Sequence, residues 1–77
     1  MPAQFQLPQG SVLPTQGPAE SLRASAAAYA EMGQPENAQF CRSMANDCVA
    51  MGAMGDSLYR HLAQQQVERI ARLSALS

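Results

Sequence analysis

Apolar residues recur along this chain at helical spacing in three separate stretches. In the first, Leu22, Ala26, Tyr29 and Ala30 or Met32 stand three and four apart, which predicts a helix over about 18–32. In the second, Ala38, Cys41, Ala45 and Cys48 make a narrow seam of small side chains over 35–51. Met44, Val49 and Met51 are expected to widen one flank of that seam, with Phe40 nearer the other, while Asn37, Arg42, Asn46 and Asp47 supply the polar side. The third stretch, about 57–76, is the longest. Tyr59, Leu62, Ala63, Gln66, Val67, Ile70 and Leu73 share one face, and Arg60, Gln64, Glu68 and Arg72 share the other. Glu68 and Arg72 are spaced for a favourable ion pair, worth a few tenths of a kcal/mol when exposed.

Glycine and proline mark the breaks. Gly33 suits the residue just past a helix end, where the left-handed conformation costs glycine no Cβ clash. Pro35 suits a first helical position, its φ preset and its missing N–H not needed, and Glu36 then faces the positive end of the helix dipole. Pro18 and Glu20 repeat that arrangement at the start of the first helix. The spacing from Tyr29 to Cys48 therefore predicts two antiparallel helices joined by a very short connection. The stretch 51–55, MGAMG, reads as a loop, with Asp56 or Ser57 capping the third helix. Residues 1–17 carry three prolines, two glycines, four glutamines and no charged side chain, so they read as an extended or flexible arm. On that arm Phe5, Leu7, Val12 and Leu13 are the apolar points. The predicted architecture is all-α: an arm over 1–17, then a helical domain over 18–77 made of a hairpin and a longer C-terminal helix.

Leu22, Ala26, Tyr29, Gly33, Ala38 and Ala45 stand where a tetratricopeptide-type repeat puts its large first-helix residue, small packing residue, tyrosine, turn glycine and two second-helix alanines. Over about residues 20–50 the hairpin thus resembles a single repeat of that family, whose period is about 34 residues. Ser25, Arg42 and Ala50 depart from the pattern, which puts an apolar residue, an aromatic or apolar residue and a closing proline at those places. The resemblance implies protein binding through a helical surface, without catalysis. One repeat does not bury its own apolar faces, so a second copy or a partner would supply the missing neighbours.

Composition sharpens that expectation. The chain has 77 residues and is 47% apolar, but much of the apolar fraction is alanine, and five methionines add adaptable surface. At this size a single core barely suffices, and the apolar face of the third helix exceeds what two alanine-rich helices need. The expected partner is another protein, in a homo-oligomer or a hetero-complex. Phe40, Met54, Tyr59, Leu62, Val67, Ile70 and Leu73 are the candidate contact residues, because binding energy concentrates in a few large side chains. Net charge is −1, and all five basic residues are arginine. A nucleic-acid reader would carry a basic patch, whereas Gln64, Gln65, Gln66 and Arg69 are the sole candidates for a recognition helix. No apolar run approaches the roughly 20 residues of a membrane span, and no secretory signal is evident at the N-terminus.

Candidate chemistry is sparse. Cys41 and Cys48 lie about 10 Å apart along one helix, too far to bridge each other, and read as small buried hydrophobes in a reducing, cytoplasmic setting. Zinc would need His61 and a fourth ligand at spacings the chain does not offer. His61 has no acid or nucleophile to support it as a base, and Gly52 and Gly55 are followed by nothing resembling a phosphate loop. No catalytic residue, metal or cofactor is expected. The reading is a non-enzymatic adaptor or co-chaperone, with a phage-type inhibitor of a host complex, or more distantly a helix-turn-helix DNA binder, as the alternatives.

Overall fold

The computed structural model describes residues 17–76, and these form an all-α fold. Three helices follow one another: α1, Pro18–Glu31; α2, Pro35–Met51; and α3, Asp56–Leu76. The arm read over 1–17 lies, except for Gly17, outside the described residues.

Local chemistry sets the ends of α1 and α2 as the spacing predicts. Pro18 occupies the first turn of α1, and the Glu20 carboxylate accepts a hydrogen bond from the Gly17 N–H at 2.8 Å, one half of a capping box. At the other end Gly33 takes φ +75°, and the Gln34 N–H returns to the Tyr29 carbonyl at 2.9 Å. These are the bonds of a helix closed by a left-handed glycine. Pro35 then opens α2 with Glu36 beside it in the first turn. The Gln34 side chain makes no cap bond; its Oε1 accepts instead from Asn37 Nδ2 at 2.7 Å.

The second connection differs from the loop expected there. Gly52–Gly55 wind into one turn of 3-10 helix that feeds directly into α3. Gly52 takes φ +63° and ψ −143°, and this single residue turns the chain out of α2. Asp56 already has helical angles, so neither it nor Ser57 caps the helix. The Asp56 carboxylate instead faces Arg60 one turn on, Oδ1 to Nη2 at 3.3 Å, and its charge sits at the favourable end of the α3 dipole.

The core is built around α1. Both α2 and α3 pack on it, while α2 and α3 make little contact with each other. The result is flattened, with extents of 35 × 32 × 16 Å. Because α1 lies between two neighbours, it buries more than its apolar stripe: Pro18, Ser21 and Ser25 are buried beside Leu22, Ala26 and Tyr29. Of the two residues expected to extend the stripe past Tyr29, Ala30 faces solvent and Met32 is half-buried. The α2 seam of Ala38, Cys41, Ala45 and Cys48 is buried as the spacing predicts, together with Met44. Val49 and Met51 do not join Met44 on one buried flank, for they are 60% and 46% exposed. Eleven residues make about three turns, so Phe40 shares a side of α2 with Met51, not the opposite flank.

Candidate functional site

Among the seven candidate contact residues the structure draws a clear division. Tyr59, Leu62, Ile70 and Leu73 are partly buried and pack against the core on α1. Val67 is half-buried on the edge of that face. Phe40 and Met54 stand away from the core, 56% and 89% exposed. The expected single surface is thus divided between side chains that complete the core and side chains that leave it.

Around the second connection further apolar groups are open to solvent. Met54 crowns the 3-10 turn, Met51 ends α2 and Leu58 lies in the first turn of α3, the last at 55% exposure. Gly55 holds this corner tight. A methyl group at its Cα would come within 2.8 Å of Met51 Cβ and 3.0 Å of Tyr59 Cδ2. Phe40 lies on the Met51 side of α2 but about 16 Å along the helix from it, so its exposed ring stands apart from the two methionines of the corner. Val49, expected on a flank of the seam, and Leu58, which the helical pattern does not single out, join the exposed apolar set.

Gln66, a polar residue on the apolar face of α3, has a partner 37 positions earlier. Its Oε1 accepts a hydrogen bond from the Tyr29 hydroxyl at 2.7 Å. Tyr29 is 1% exposed, so this bond satisfies a phenol that would otherwise be buried without an acceptor. Burial raises the Tyr29 phenol above its ordinary value of 10.0, with nearby Arg69 and Arg72 pulling the other way.

Both cysteines are free and buried. Burial raises the Cys41 thiol above its usual 9.0, with Arg69 opposing. Its reactive thiolate is therefore scarce at neutral pH. His61 is exposed on α3. No group of three or more His, Cys, Asp or Glu side chains converges among the described residues in a way that could hold a metal. None of their helices is long and apolar enough to cross a membrane. On α3 Glu68 accepts a long contact from Gln64 Nε2 at 3.4 Å, and the ion pair of this helix is Asp56–Arg60 in place of the expected Glu68–Arg72.

A second feature lies between α1 and α2. Arg23, Ala26, Ala27, Arg42 and Asn46 line an open hollow of about 340 Å³. Arg23 escapes a reading based on apolar periodicity. Arg42 reads as part of the polar side of α2 and as a departure from the repeat pattern, a charge where an aromatic or apolar side chain is expected. That departure is the one signal in the chain that points here.

No family model, curated protein or solved structure matches this chain.

Proposed function

We propose that this chain is a non-enzymatic protein–protein interaction module, an adaptor or co-chaperone of a reducing cytoplasm that works as an oligomer or on a partner protein. The observation that carries this reading is the solvent exposure of four large apolar residues, Phe40, Met51, Met54 and Leu58. Each is at least 46% exposed, in a chain that has few large apolar residues to spare. A small protein short of core volume gains by burying such groups, and leaving them in water favours association. Methionines suit an adaptable contact and Phe40 an anchor. The tetratricopeptide-like pattern of residues along the α1–α2 hairpin agrees with a binding role.

Sedimentation equilibrium of the pure chain from low to high micromolar concentration tests the reading. A mass that rises above the single-chain 8.2 kDa with concentration is expected. It should fall back when Phe40 and Met54 are both replaced by serine. A compact chain that stays at 8.2 kDa throughout and melts cooperatively by itself overturns the oligomeric form of the proposal.

A further inference from the structure

We propose that the hollow between α1 and α2 binds a carboxylate side chain of a protein partner, with Arg23 and Arg42 as paired donors and Asn46 beside them. The site lies on other residues than the exposed Phe40, Met51, Met54 and Leu58. It shares with the proposed function the premise that the chain binds proteins.

The geometry is specific in three respects. Arg23 comes from α1, whereas Arg42 and Asn46 come from α2 one turn apart, so the three polar side chains border one hollow from two elements. Ala26 and Ala27 contribute only methyl groups, and this smallness leaves the space of about 340 Å³ open. Finally, the guanidinium groups are not neutralised from within. The ion pair among the described residues is Asp56–Arg60. Arg42 makes one long contact, Nη2 to Gln39 Oε1 at 3.4 Å. Two of five arginines thus border one hollow whose lining holds no carboxylate, in a chain that carries six acidic residues and a net charge of −1.

The donor set selects the ligand class. A guanidinium offers a planar fork matched to the two oxygens of a carboxylate, and two forks hold one or two such groups. The Asn46 amide can donate to a neighbouring peptide carbonyl and accept from a peptide N–H. Nucleic acid fits poorly, because its phosphates need an extended basic track and here the positive charge is confined to two side chains. Guanidinium forks also hold phosphate, and what a free phosphate lacks here is the set of open backbone N–H groups that a helix start supplies. This hollow lies along the helices, where backbone N–H groups are already bonded in the helical ladder.

Arginine Nε–Hε correlations of the full ¹⁵N-labelled chain read the site directly. The probe is a capped peptide of alternating glutamate and alanine, with its glutamine counterpart and inorganic phosphate as controls. The glutamate peptide should shift the Arg23 and Arg42 signals and the Asn46 amide saturably, leave Arg60, Arg69 and Arg72 in place, and lose affinity as salt rises. Arg23→Gln and Arg42→Gln should each weaken binding about ten-fold with helicity unchanged. The serine variants at Phe40 and Met54 should bind the peptide as well as the native chain, so that this site is judged apart from self-association. Equal shifts across all five arginines, undiminished binding in both glutamine variants, or phosphate saturating the pair as tightly as the peptide would each overturn the proposal.

Discussion

Tyr29 carries more of this fold than any other single residue. It is the largest fully buried side chain, and its hydroxyl bonds to Gln66 on α3 from the last turn of α1. Tyr29→Phe keeps the ring and removes the bond, so urea denaturation should show a loss of about 1 kcal/mol. Tyr29→Ala should cost about 3–5 kcal/mol, the range for emptying an aromatic core site. The pH dependence follows from the same burial. The Tyr29 phenol and the Cys41 thiol are both raised in the fold, so the unfolded chain releases these protons first. Their contribution is complete below the ordinary values of 10.0 and 9.0, and it is lost as pH rises through the folded-state values. Melting temperature should therefore fall on the alkaline side, and less steeply in Tyr29→Phe and Cys41→Ala. An alkaline limb identical in all three proteins contradicts this assignment. Gln66 shows where residue-level reading stops: its place on the apolar face was plain, but its partner was hidden 37 positions away.

At the scale of elements, two glycines end two helices for different reasons. Neither would meet a clash if given a Cβ, so substitution is governed by backbone angle alone. Gly33, at φ +75°, sits in the left-handed region, and Gly33→Ala should cost about 1 kcal/mol. Gly52 combines φ +63° with ψ −143°, a region close to glycine's exclusive territory, and Gly52→Ala should cost about 2 kcal/mol or more. Chemical denaturation of the two variants checks the order, and equal losses would contradict it. The first connection was fully legible because Gly33 and Pro35 each had one obvious task. The second was not, since MGAMG offers no cap and its spacing does not show that Met51 and Tyr59 close in around Gly55 and leave no room for a side chain there. The α2 flanks were misjudged for a related reason. Spacing locates the seam, but it does not say that α3 leaves the Val49 and Met51 edges uncovered.

For the molecule as a whole, the division between core-completing and exposed apolar groups makes a direct forecast. Ile70 and Leu73 pack against the core, so Ile70→Ala should lower thermal stability and cost about 1–2 kcal/mol, less than a fully buried site. Phe40→Ser and Met54→Ser should leave the melt within about 0.5 kcal/mol of the native chain, as surface changes usually do. Paired thermal melts and sedimentation runs separate the two classes. A Phe40 or Met54 variant that unfolds the protein would return that residue to the core. The all-α class could be argued from residues at helical spacing, but the two-sided use of α1 could not, since it buries Ser21 and Ser25 where no apolar side chain signals a contact. The Arg23–Arg42 hollow could not, because it needs two helices placed side by side before the charges meet.

The Tyr29–Gln66 bond also gives the protein an optical gauge. With two tyrosines and no tryptophan, its near-ultraviolet signal comes from phenol rings unmasked by a stronger emitter. One ring is sealed between α1 and α3 with its hydroxyl donating to a fixed amide oxygen, and the other is half-buried in the first turn of α3. Separation of α3 from α1 exchanges that amide for water, changing the absorption and emission of Tyr29 while the helices themselves stay wound. Comparing this signal with far-ultraviolet helicity during a titration would then show whether a bound partner pries α3 loose or leaves it seated.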